Sequence, residues 1–176
     1  MRVIVTRPAA EAQGWADALR ARGFDAVALP LIEIRPVPDP SLIRAAWRDI
    51  DACHAVMFVS ANAVRAFFAQ RPHGATFVPR AWATGAGTRH ALLAAGVASE
   101  QVDSPPGDAA QFDSESLWGT VRPQCKAGHR VLFVRGGDAG ATPSGRDWLE
   151  RALGNQGVAT SALLAYVRGA PAWHDP

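Results

Sequence analysis

The chain has 176 residues, 48% of them hydrophobic and 19% charged, a composition that can bury a core and suits one ordinary domain or two small ones. Its net charge of +2 is too small to argue for nucleic acid, and no apolar run approaches the ~18 residues of a membrane span. The two cysteines, Cys53 and Cys125, have neither CxxC spacing nor a His/Cys cluster around them, which excludes a disulfide framework or zinc ribbon and favours a reducing cytoplasm.

The opening MRVIVTRP sets a charge inside a short apolar run with no cleavage pattern after it, which argues against a signal peptide. Val3-Ile4-Val5 predict a first strand ended by Thr6-Arg7-Pro8. In the following AAEAQGWADALRARG, Ala12, Trp15, Ala16 and Leu19 recur at helical spacing, and Gly23 closes the helix. A second strand from Ala26 to Ile34 carries Pro30 in its middle, so it is either an edge strand or broken there. Pro36, Pro38 and Pro40 read as a crossover between two bodies. Leu42, Ile43, Ala46 and Ile50 then suggest a helix.

Three strand-to-helix units follow. Ala55 to Val59 read as a buried strand stopped by Ser60-Ala61-Asn62, where Ser60 or Asn62 caps a helix whose apolar face is Val64, Phe67 and Phe68. A strand feeding directly into a helix leaves backbone N–H groups at the strand's carboxyl end, where open α/β sheets bind anions. The second unit is Ala81-Trp82-Ala83, then Thr84-Gly85-Ala86-Gly87-Thr88, then RHALLAAG. A short strand at Ser99 to Val102 leads to the loop DSPPGDAAQFDSE, with Asp113 or Ser114 capping SESLWGTV. The third unit is the strand Arg130 to Arg135, the loop Gly136-Gly137-Asp138-Ala139-Gly140 and the helix GRDWLERALGNQG. A last strand spans Ala159 to Val167. Strands alternating with helices predict an α/β fold with a largely parallel sheet covered on both faces.

The side chains carry no triad and no metal motif. His54, His73, His90, His129 and His174 are scattered and read as surface residues. Trp15, Trp47, Trp82, Trp118 and Trp148 occupy apolar helical or strand positions and read as packing groups. Ser60, Ala61 and Asn62 serve either as a plain helix start or as a carboxylate site. Thr84, Gly85, Gly87 and Thr88 admit the same two readings.

Eight segments in chain order resemble the uroporphyrinogen-III synthase family: VIVTRP (3–8), ALPLIEI (28–34), FVSANAV (58–64), TGAGT (84–88), DSESLW (113–118), RVLFVRG (130–136), GRDWLERAL (145–153) and YVRGAP (166–171). The resemblance implies two flavodoxin-like parallel-sheet domains joined by a two-stranded β-ladder. Residues 1–35 are then the βαβ start of a discontinuous domain one, 37–165 an inserted domain two, and 166–176 the start of the return. Family members continue beyond the point where this sequence stops, at Trp173-His174-Asp175-Pro176. Domain one is therefore expected to be incomplete, a truncated half or one part of a complemented assembly, with self-association or lost activity as consequences.

The resemblance also implies the chemistry. A linear hydroxymethylbilane loses its terminal hydroxyl as water and closes to a macrocycle with ring D inverted. Its reactive azafulvene forms readily, and unaided closure proceeds without inversion. Such an enzyme needs to hold a conformation more than to supply a strong nucleophile. Tyr166, the one tyrosine of the chain, matches the family's candidate acid for the departing hydroxyl, and Thr88 matches a cleft threonine. Arg7, after the first strand, is read either as facing the cleft to pair with a substrate carboxylate or as a solvent-exposed arginine. Arg135 and Gly136-Gly137 lie at a strand's carboxyl end, beside a loop at 139–144 longer than the family's. The implied partner is this small linear tetrapyrrole, with no cofactor, metal, nucleic acid or membrane. A non-catalytic remnant and an anion-binding α/β module are the alternatives. For a flavodoxin-type module, Thr6-Arg7-Pro8 lacks the hydroxyl-rich loop required after the first strand.

Overall fold

The computed structural model describes residues 1–107, 111, 113–138 and 148–171, which form an α/β fold divided into two compact units: Met1–Arg35 with the stretch from Val167 on, and Pro36–Tyr166. In the first unit β1 (Arg2–Val5) and β2 (Asp25–Ala28) pair in parallel, with Val3 opposite Ala26. Helix α1 (Ala9–Arg20) covers them through Ala12 and Ala16, which close a small core with Val5 and Ala26. Arg20 ties the helix end to β2 by donating from Nε to the Ala26 carbonyl at 2.7 Å, and Gly23 turns the chain at a φ of +84°.

Trp15 departs from its expected packing role and is 51% exposed. Ala12, Ala16 and Leu19 form the inward seam at i, i+4 and i+7, which turns position 15 outward. The Arg7 guanidinium lies 5.2 Å from the Trp15 ring centroid instead. The expected strand from 26 to 34 breaks in two: β2 ends at Ala28, and β3 (Glu33–Pro36) belongs to a different sheet, beside the end of β8 (Ala159–Gly169). Pro30, which has no N–H to give a ladder, sits in the gap.

The second unit is built on β4 (Ala55–Phe58), β5 (Arg80–Ala83), β6 (Val102–Asp103), β7 (Arg130–Asp138) and the first part of β8, in the order β8-β7-β4-β5-β6. β4 pairs in parallel with both neighbours, so Met57 stands opposite Trp82 on one side and Phe133 on the other. Alternation along β4 sorts its side chains between two cores. Ala55 and Met57 pack with Trp82 and Phe133 under Leu117 and Val121 of α5 (Ser114–Val121) and Leu149 and Leu153 of α6 (Trp148–Gly154). On the other face Phe58 meets Phe67 of α3 (Ala61–Phe68) at 5.6 Å, and Phe67 stacks at 4.8 Å on Trp47 of α2 (Ser41–Arg48). Both faces are covered, as a parallel sheet requires.

Several boundaries differ from the sequence reading. In α2 the seam is Ile43 and Trp47, four apart, which leaves Leu42 exposed and puts Ile50 in a separate 3-10 turn. Ser99–Gln101 is likewise a 3-10 turn, and β6 is only Val102–Asp103. Asp113 caps α5 by accepting from the Ser116 N–H at 2.9 Å. Gly136, Gly137 and Asp138 extend β7 rather than forming a loop, and β8 runs on to Gly169. The expected loop at 139–144 and the start of the next helix lie outside the described residues. Among the described residues no helix is long and apolar enough to cross a membrane.

Candidate functional site

The carboxyl end of β4 carries the site. Ser60 leaves the strand in an extended conformation (φ −163°, ψ 161°), and its Oγ accepts the Ala63 N–H at 3.1 Å. Ser60 is therefore the cap of α3, worth about 1 kcal/mol to the helix. Ala61 opens that helix, and Asn62 faces Arg65, whose Nη1 donates to Asn62 Oδ1 at 2.7 Å.

A second hydroxyl meets the cap: Ser60 Oγ lies 3.1 Å from Tyr166 Oη. Tyr166 sits on β8 and is 6% exposed. Strand β7 lies between β8 and β4, so the phenol has to pass over β7 to reach Ser60. Gly136 of β7 provides the room. A Cβ at that position would overlap Cζ and Cε2 of the ring and stand 2.7 Å from Oη. This explains a glycine at position 136 of β7.

The two hydroxyls have a limited choice of arrangements. Ser60 has one proton and two lone pairs, one of them taken by the Ala63 N–H. If Ser60 donates to Tyr166, the phenol proton is available to a third group. If Tyr166 donates, the serine proton is available. Either way the pair presents one transferable hydroxyl proton.

At the end of β5, Thr84 and Gly85 are half-buried, and among the described residues no side chain caps the start of α4 (Ala86–Ala94) at Gly85. The Thr88 N–H donates to the Gly85 carbonyl at 3.1 Å, so among the described residues the Ala86 and Gly87 N–H groups are the ones left for another acceptor, in contrast to the Ser60 end. Gly87 is exposed in the first turn, while Thr88 is 6% exposed and points into the body. The four expected residues are split between an open rim and an interior position. Arg7 belongs to the first unit, where it pairs with Glu11 at 3.4 Å besides lying over Trp15.

Two arrangements were invisible in the sequence. Arg135 is 4% exposed, paired with Glu150 of α6 and held 4.8 Å over the Phe133 ring, so it serves the core and not a strand-end rim. His54 and His129, expected at the surface, stack at 4.0 Å with planes 20° apart. They precede β4 and β7, neighbouring strands whose parallel register brings their amino ends together. Among the described residues, the buried His54 Nε2, His129 Nδ1 and nearby Trp82 Nε1 find no hydrogen-bond partner.

Burial, then His129, then Arg80 hold the His54 imidazole below its ordinary range, against the opposing pull of Asp103. The folded state therefore resists a proton that the unfolded chain accepts near pH 6.5. Stability is expected to fall as pH drops below about 6.5 toward the folded value. His54→Gln should flatten that slope in denaturant titrations at pH 7 and 5.5; an unaltered slope would assign it to other groups.

Among the described residues no group of three or more His, Cys, Asp or Glu side chains gathers as a metal site. Burial pushes the Cys53 and Cys125 thiols up, away from thiolate chemistry.

A family profile described as uroporphyrinogen-III synthase HemD matches residues 13–175. The chain is 31% identical over 180 residues to a uroporphyrinogen-III synthase of Synechococcus elongatus, covering 96% of this chain and 61% of that relative. It thus spans about three fifths of the length of the curated relative it matches. Among solved structures, a mutant uroporphyrinogen III synthase from the extremely thermophilic bacterium Thermus thermophilus aligns with a TM-score of 0.59 at 19% identity, over 97% of this chain and 64% of its own. Uroporphyrinogen-III synthetase from Helicobacter pylori aligns with a TM-score of 0.52 at 17% identity, over 99% and 65%. At those identities the structural likeness concerns the fold.

Proposed function

Because the chain belongs to the uroporphyrinogen-III synthase family, we propose that it cyclises linear hydroxymethylbilane to uroporphyrinogen III, inverting ring D with loss of water, in tetrapyrrole biosynthesis. The observation that carries this reading is the Ser60–Tyr166 hydroxyl pair at the carboxyl end of β4. Tyr166 protonates the departing hydroxyl, and Ser60, by donating to Tyr166 Oη, keeps the phenol proton directed at the substrate. The C–O bond breaks and water leaves. The azafulvene bonds to the substituted α-carbon of ring D, the bond from that carbon to its methylene bridge breaks, and the bridge re-forms its bond at the other α-carbon, which inverts the ring. The proton released when the attacked pyrrole regains aromaticity restores the acid.

The substrate's acetates and propionates suit the helix starts at Ser60-Ala61-Asn62 and at Thr84-Gly85-Gly87, whose N–H groups and dipoles favour carboxylates. Thr88, 6% exposed in the first turn of α4, is the cleft threonine at this second helix start. Arg7, which pairs with Glu11 within the first unit, is a further candidate partner for a substrate carboxylate. The reaction calls for no cofactor or metal, and it belongs in the cytoplasm.

The domain organisation proposed is a discontinuous domain one begun by residues 1–35, an inserted domain two at 37–165 and a return from 166. In the first unit Ile4, Phe24, Leu29, Leu31 and Ile32 are exposed around a two-stranded sheet, which is too small to cover its own apolar face. Further strands, from continued chain or a second copy, would cover these side chains. Self-association is the reading for the chain alone.

The test is to supply freshly made hydroxymethylbilane and resolve the isomers produced. Isomer III is expected. Isomer I alone, as in the enzyme-free control, would remove the catalytic claim and leave an anion-binding module or a remnant.

A further inference from the structure

At the opposite end of α3 from Ser60, on the order of 12 Å along the helix axis, three arginines surround an open groove. Arg44, Arg48 and Arg71 line it with Ala69, Gln70 and Pro72, and its volume is about 530 Å³. The groove lies where α2 ends at Arg48 and α3 ends at Phe68. The geometry points to a second, peripheral site for a small polyanion carrying at least two oxyanion groups, phosphate or carboxylate.

The arginines are positioned for this. Arg44 donates from Nε to Gln70 Oε1 at 3.2 Å, and Arg71 donates from Nε to the Ala75 carbonyl at 2.6 Å. Each bond orients a guanidinium while leaving its two terminal nitrogens unengaged by any described residue. The Arg71 guanidinium also lies 6.0 Å from the centroid of the Trp47 ring, and that ring is fixed by its own bond from Nε1 to the Phe67 carbonyl at 2.9 Å. Arg48 is exposed and makes no ion pair among the described residues. Asp39 is the acid that feels Arg44, yet its carboxylate is already occupied by the Ser41 N–H at 2.9 Å and hydroxyl at 2.8 Å.

Three arginines lining one groove that no carboxylate lines repel one another, and an oxyanion bound among them relieves that repulsion through paired N–H···O bonds. Complementing the two helix dipoles accounts for a cation at each helix end but not for three arginines facing one groove. The site is independent of the proposed reaction, because it lies away from the Ser60–Tyr166 pair and uses none of its groups.

Calorimetric titration of the chain with pyrophosphate, and separately with tricarballylate, tests the assignment, with the Trp47 indole resonance followed by NMR. Saturable binding that weakens with salt and shifts the Trp47 signal is expected for at least one probe. Arg48→Gln should weaken it about tenfold, and Arg44→Gln with Arg71→Gln should abolish it. Arg22→Gln, at the surface of the other unit, should leave it unchanged. Binding of pyrophosphate alone would identify a phosphate ester as the ligand class, and of tricarballylate alone a polycarboxylate. No saturable binding of either probe, or an affinity indifferent to Arg48→Gln and to the double substitution, overturns the site.

Discussion

Under the proposed function, Tyr166→Phe is expected to lower the rate of isomer III formation by about a hundredfold or more, the range for loss of a positioned general acid. The substitution keeps the ring in the space left by Gly136 and removes only Oη, with its 3.1 Å bond to Ser60. Stability should therefore change by only about 1 kcal/mol, the net worth of one neutral hydrogen bond. Because the bilane closes unaided without inversion, slow turnover should also shift the product toward isomer I. A rate and isomer ratio equal to those of the parent chain would take Tyr166 out of the mechanism, and the Ser60 hydroxyl would become the remaining donor of the pair.

Gly136→Ala is expected to be the most damaging small substitution in the second unit. Its Cβ falls on the Tyr166 ring, whose Cα is fixed in the sheet beside β7, so neither side can withdraw without shifting a strand. Overpacking of this kind costs about 1–3 kcal/mol, and we expect the upper end. Activity should fall with it, because displacing Oη by about 1 Å from its working position costs on the order of a hundredfold. A double-mutant cycle with Tyr166→Ala isolates the cause. Removing the ring should cancel most of the Gly136→Ala penalty, giving a coupling of at least about 1 kcal/mol. Strict additivity of the two changes would show that the glycine serves something other than the ring.

The strand-to-helix units were legible in the sequence because each is a local signal. The apolar run of β4, its stop at Ser60 and the i, i+3 and i+4 spacing of Val64, Phe67 and Phe68 are all read within a dozen residues. The same holds for Pro30, which marks where β2 and β3 separate. Errors arose where periodicity admits two faces. Trp15 and Leu42 fit an apolar stripe on paper, but one residue's rotation of about 100° places each outside. Glycine runs misled in a related way: Gly136-Gly137 reads as a turn when the neighbour that needs the space is unknown.

The amino-acid order therefore carried the α/β class, the succession of elements and the candidate residues Ser60 and Tyr166, since these depend on short-range patterns and on matched segments. Only tertiary structure could place a serine and a tyrosine 106 positions apart at hydrogen-bond distance, and only it paired the buried Arg135 with Glu150 and stacked His54 on His129. The physical reason is common to all three. The α/β topology sets elements distant along the chain side by side: β4 beside β7 joins the two histidines, β8 reaches the Ser60 end across β7, and α6 packs on β7 at Arg135, so side chains meet that no local periodicity links.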